Sequence, residues 1–214
     1  MGCDDFASPA ELERNQLAAI RAEPPGVMAD GQSSLEVLVL GPDGAVDEVD
    51  ATWSTVATTP DVPAIGRVDA AADATHFIAP EQVDEVTIAS VEVRVATDGD
   101  ELVGVKTITV GVPLDNPTIR AVTAAGQTVA DGEQVAVGFG DEMALAVDFE
   151  SQSAPESEDV EATYAWYSTV GTIARYLDRD PVLEADETGT GWVYVVARDG
   201  LGGVAWQGFR LTIE

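Results

Sequence analysis

Four short segments of this chain occur twice, in the same order and about a hundred residues apart. Ile20-Arg21-Ala22 returns as Ile119-Arg120-Ala121, and Ala29-Asp30-Gly31 returns as Ala130-Asp131-Gly132. Val95-Ala96-Thr97-Asp98-Gly99 returns as Val196-Ala197-Arg198-Asp199-Gly200, and Trp53-Ser54-Thr55 has a looser counterpart in Trp166-Tyr167-Ser168-Thr169. A repeat on this scale limits the fold to two copies of one domain. The seam lies in Val112-Pro113-Leu114-Asp115-Asn116-Pro117, where two prolines bracket a short polar link. The reading is therefore an N-terminal tether over residues 1–16, a domain over 17–112, a linker over 113–116 and a second domain over 117–214. Asp4 to Pro25 carries charges and prolines, which suits a tether, and residues 10–21 have helix-like composition for at most three turns.

Within each copy the hydrophobic period is two. Val91-Glu92-Val93-Arg94-Val95 puts three valines on one face and two charges on the other, and Val49-Asp50-Ala51-Thr52-Trp53 alternates similarly. Leu35 to Leu40, Met143 to Phe149, Thr163 to Trp166 and Trp192 to Val196 read as further strands. Asp98-Gly99-Asp100 and Asp199 to Gly203 are turns that return the chain into Val103–Val112 and Val204–Ile213. About seven strands per hundred residues is the pattern of an immunoglobulin-like sandwich. The fold class expected is all-β: two tandem immunoglobulin-like β-sandwich domains. Trp53 and Trp166 fall where a tryptophan packs between the sheets, and no Cys lies in either copy to form the disulfide of antibody domains. Trp192 and Trp206, on the final hairpin, are candidate binding residues, including for a glycan.

The acid balance excludes other classes. With 39 acidic and 10 basic side chains the formal net charge is -29, which speaks against nucleic acid and against anionic lipid headgroups. The acids are shared, 17 against 4 bases in residues 17–112 and 18 against 5 in 113–214. The single Lys, Lys106, stands beside nine Arg. The single His, His76, lies in an apolar run and reads as a strand residue with its ring outward. No nucleophile elbow, zinc-protease motif or phosphate-binding loop is present, so the expectation is not an enzyme, with no catalytic residues. No run reaches the roughly 20 apolar residues of a spanning helix.

Two resemblances add to this. Gly2-Cys3 looks like the end of a bacterial lipobox, in which a small residue precedes a lipidated cysteine; Cys3 is the lipidation candidate, and the alternative is an incidental cysteine. Thr75-His76-Phe77-Ile78-Ala79-Pro80, followed by an alternating strand, an Asp-Gly turn and Lys106-Thr107-Ile108-Thr109-Val110, resembles bacterial cell-surface Ig-like repeats of the PKD and cadherin-like type. Trp166 to Gly171 and Val196 to Gly203 are similar to the same group. The resemblance implies an extracytoplasmic setting, at the bacterial outer surface or in the periplasm, and a role in adhesion, spacing or partner binding. Two readings of the role stay open, a surface module that binds a protein or glycan partner and a structural subunit whose edge strands pair between copies into a fibre or layer, with the membrane reached only through a lipid on Cys3. Leu177-Asp178-Arg179-Asp180 is similar to a cadherin calcium motif, and Asp115-Asn116-Pro117 to a cadherin linker. The first copy has no partner motif, so the calcium candidates are Asp115, Asn116 and Asp199, gathered where the second domain's loops meet the linker. No other cofactor is expected.

Overall fold

The computed structural model describes residues 8–60, 62–71, 74–97, 100–151 and 161–214. Among the described residues, the first half of the chain forms nine strands. They are β1 (Gln16–Glu23), β2 (Gly26–Val27), β3 (Gln32–Gly41), β4 (Gly44–Ala45), β5 (Asp50–Val56), β6 (Arg67–Ala70), β7 (Thr75–Ile78), β8 (Thr87–Ala96) and β9 (Glu101–Val110). The second half forms β10 (Thr118–Ala124), β11 (Gln127–Val129), β12 (Gln134–Val137), β13 (Glu142–Glu150), β14 (Thr163–Ser168), β15 (Thr172–Ala174), β16 (Val182–Glu184), β17 (Gly189–Arg198) and β18 (Val204–Ile213).

These strands build four sheets: β1-β3-β7-β6 with β4 appended to β3, β2-β9-β8-β5, β11-β10-β13-β16-β15, and β12-β18-β17-β14. The halves repeat one plan. In each, an opening strand pairs antiparallel with its own sheet (β1 on β3, β10 on β13), and a short strand then crosses to lie parallel on the last strand of the other sheet (β2 on β9, β12 on β18). The chain folds as two tandem Ig-like β-sandwiches, as the period of two and the repeat require.

The second core centres on Trp166, Phe209, Leu183 and Leu211, with Trp166 fully buried and its indole N–H donating to the Asp178 carbonyl at 3.0 Å. The first core centres on Phe77, Ile108 and Val91. Trp53, expected to be its anchor, is half-buried on the edge strand β5, where it packs against two apolar clusters of the first domain. Phe77 on β7 is the largest fully buried side chain there. His76 lies beside it on the same strand, half-buried, opposite Ser34 and Asp69.

Two expectations are corrected. Residues 10–21 form no helix; no helix occurs among the described residues. Pairing of Gln16–Glu23 along β3 supplies hydrogen bonds and burial that outweigh a weak local preference. Residues 10–12, expected within a free tether, are seated on the second sandwich instead. Leu12 N–H donates to Ser168 O at 3.0 Å, Ser168 N–H donates to Ala10 O at 2.8 Å, and Ala10 is 1% exposed inside the second core. A small apolar residue at that position closes the end of the sandwich beside β14 before the chain enters the first domain.

Candidate functional site

The residues singled out by sequence converge on one region, the junction between the sandwiches. β3 and β17 explain why a junction exists. Each contains an unbroken apolar run, Val37-Leu38-Val39-Leu40 and Trp192-Val193-Tyr194-Val195-Val196-Ala197. Such a run marks a strand covered on both faces. Val39, Val193 and Val195 face their own cores, while Leu38, Leu40, Tyr194 and Val196 face across. Together with Leu12, Ala18, Ala19 and Val204 they make one buried cluster drawn from both domains.

Polar contacts fix its rim. The Tyr194 hydroxyl accepts from Ala45 N–H at 2.8 Å, and partial burial raises the phenol's pKa. Asn116 links the domains through both ends of its amide. Its Nδ2 donates to Ala22 O at 2.7 Å and to Glu23, while its Oδ1 accepts from Val204 N–H at 2.9 Å. Asp199, 3% exposed, turns the last hairpin by accepting Leu201 and Gly203 N–H, both at 2.8 Å, on one oxygen. Its other oxygen has no hydrogen-bond partner. Arg198 reaches back to Ala18 O at 2.7 Å.

Lys106 is the group that sequence reading passed over. On β9 it shares a face with Ile108 and Val110, so alternation alone directs it inward. It is 8% exposed and donates across the junction to Gly202 O. Burial lowers its pKa to about 8, against an opposing pull from Asp199, with Arg198 lowering it further. The signal was available: the only lysine of the chain stands at an inward position of a regular strand.

Of the calcium candidates, the structure brings Asn116 and Asp199 together. Asn116 and Asp199 bind the successive amides of Val204 and Gly203, which uses the Asn116 oxygen and one Asp199 oxygen. The Asp199 carboxylate exerts an electrostatic pull on the Lys106 ammonium, and its remaining oxygen has no hydrogen-bond partner. Calcium needs six to eight oxygens, and among the described residues no three carboxylate, His or Cys groups gather for a metal. The geometry is that of a hydrogen-bonded clamp.

Trp192 and Trp206 also lie at the junction, half-buried against the shared cluster. Trp192 stacks on Tyr194 with centroids 5.6 Å apart, and the Arg210 guanidinium lies 5.4 Å from its ring. Arg21 lies 4.4 Å over Trp206. The Trp192 ring is thus engaged by the protein's own side chains, whereas Trp206, with Arg21 over it, also lines a groove of about 560 Å³ beside Trp53. Cys3 lies outside the described residues, as do Asp98 and Gly99 of the first repeat's turn.

No family model matches the sequence, and no curated protein matches it. Solved structures similar to the chain are tandem domains. They include the N-terminal Ig1-2 module of the Drosophila receptor protein tyrosine phosphatase DLAR, at 12% identity over 94% of this chain and 99% of that one, TM-score 0.35. The D0-D1 domain of intimin aligns at 13% identity over 92% and 98%, TM-score 0.31. The three N-terminal domains of the bacteriophage RB49 outer capsid protein Hoc align at 14% identity over 94% and 70%, TM-score 0.34.

Proposed function

We propose that this chain is a non-catalytic tandem Ig-like unit displayed at a bacterial cell surface, where it spaces or binds a partner. The observation that carries the reading is the junction. A shared apolar cluster, hydrogen bonds donated by Asn116, Arg198 and Lys106, and those accepted by Tyr194 and Asn116 join the sandwiches, so they present their outer faces at a fixed spacing. Domains on a flexible linker make smaller and more polar contacts. The net charge of -29 suits a molecule that must stay soluble and unattached to anionic surfaces. Attachment through a lipid on Cys3 belongs to the same proposal.

The test uses cells of the native host and an antibody raised against the folded tandem. Staining of intact cells, together with loss of attachment or partner capture when the purified tandem is added as competitor, supports the reading. Staining only after permeabilisation overturns the surface setting. Mass spectrometry of the native protein decides the lipid, since an unmodified Cys3 thiol removes it.

A further inference from the structure

The two repeats differ in how far they cover the edge of their last strand. In the second, β12 pairs with four residues of β18, from Arg210 to Ile213. Ahead of it, Gly208 N–H donates to Asp131 at 2.9 Å and Gly208 O accepts from Gly132 N–H at 2.8 Å. In the first, β2 covers only Thr109 and Val110 of β9. Thr109 N–H donates to Pro25 O at 3.1 Å and Gly111 N–H to Val27 O at 2.8 Å, so odd-numbered residues of β9 turn their backbone groups to this edge. By the period of two, Val103, Val105 and Thr107 do the same. Among the described residues no strand pairs with them there.

This open edge borders a groove of about 520 Å³ whose far wall is Leu17 to Ile20 of β1 and whose end is the Gly202–Val204 turn. Gly104 keeps it narrow: a Cβ there would lie 2.8 Å from Ile20. Val103 and Val105 are 48% and 56% exposed beside it. Two cations line it, Lys106 and Arg198, and both donate to backbone carbonyls. Arg21, Arg94, Arg120, Arg175 and Arg179 are instead ion-paired with carboxylates, whereas among the described residues neither groove cation has a carboxylate at ion-pair distance, Asp199 acting on Lys106 from farther away. Asp199, behind the turn, is not part of the lining.

We propose that this groove receives an extended, acidic peptide segment of a partner protein as an added strand along Val103–Thr107, in line with β2, with its carboxylates toward Lys106 and Arg198. The idea rests on reading the tandem as a partner-binding unit, and it names the place and the chemistry. Main-chain hydrogen bonds to a strand edge supply affinity and charge supplies selectivity. The edge from Val103 to Thr107 is about 14 Å long, which matches about five residues of extended chain.

The probe is a capped heptapeptide of alternating Glu and Thr, titrated into the intact tandem and read by amide NMR. Two controls carry Lys for Glu, or N-methyl groups on alternate amides. The expected result is shifts at Val103, Val105 and Thr107, with both controls at least about tenfold weaker. Val105→Pro removes one outward N–H while leaving the ladder to β8, and Arg198→Gln removes one charge; each should weaken binding several-fold. Should Val105→Pro not fold, the N-methylated peptide tests the same hydrogen bonds on the native protein. No shifts at millimolar Glu peptide, shifts only on other strands, or equal binding of either control overturns the proposal. Such a failure leaves the antibody and competition results on cells untouched, so the two readings fall separately.

Discussion

Lys106 shows how one side chain can be placed by alternation yet acquire its character from a partner domain. β9 turns it inward, and the Gly202 turn of the second sandwich covers it and accepts a hydrogen bond from its ammonium. The folded ammonium has a pKa of about 8 against an ordinary 10.5, so the unfolded chain holds the proton more tightly. Stability should therefore rise with pH between about 8 and 10.5. Relative to Lys106→Met, the native protein should gain up to about 3 kcal/mol across that window, read from urea unfolding at the two ends. A difference that stays constant would show that Lys106 is not buried as described. Gly44 is the second telling residue. Its φ of +109° favours glycine, and a Cβ there would lie 2.6 Å from Cδ1 of Trp192. Gly44→Ala should cost about 1–3 kcal/mol, and a change in tryptophan fluorescence should accompany the loss because the collision falls on Trp192.

At the level of elements, the strands were legible because their alternation is local. Val91–Val95 became part of β8 and Met143–Phe149 part of β13, as the period of two requires. The segment over residues 10–21 was misread for the complementary reason. Its burial comes from β3 and from Ser168, residues far away in sequence, and no local pattern reports them. The seat of Ala10 and Leu12 makes the N-terminal segment a brace between the domains. Deleting residues 1–12 should lower the melting temperature of the second sandwich and speed hydrogen exchange at Ser168, whose amide donates to Ala10. Unchanged exchange at Ser168 would mean that the brace adds nothing. Likewise, the runs in β3 and β17 announce strands covered on both faces without saying what covers the second one. The partner proved to be the other domain.

Across the whole molecule the dominant quantity is the charge of -29, spread over both sandwiches. Self-repulsion works against the compact state and salt relieves it, since the screening length falls from about 30 Å at 10 mM to about 3 Å at 1 M. The melting temperature should rise by at least about 4 °C over that range, and a flat profile in calorimetry would contradict it. Calcium at millimolar concentration should add no more than its ionic strength does, because the Asn116 oxygen and one Asp199 oxygen are already taken by backbone amides. The sequence alone determined the all-β class, the doubling of the domain and the inward or outward sense of most strand residues. Those properties depend on periodicity and on repeats, which are carried by neighbouring residues. Only the tertiary structure decided that Trp53 is an edge residue, that Trp192 and Trp206 stand half-buried at the domain junction, and that Lys106 lies buried beside an open strand edge. Each depends on which surfaces two sandwiches hide from water when they pack. That choice is made by shape and charge summed across distant segments.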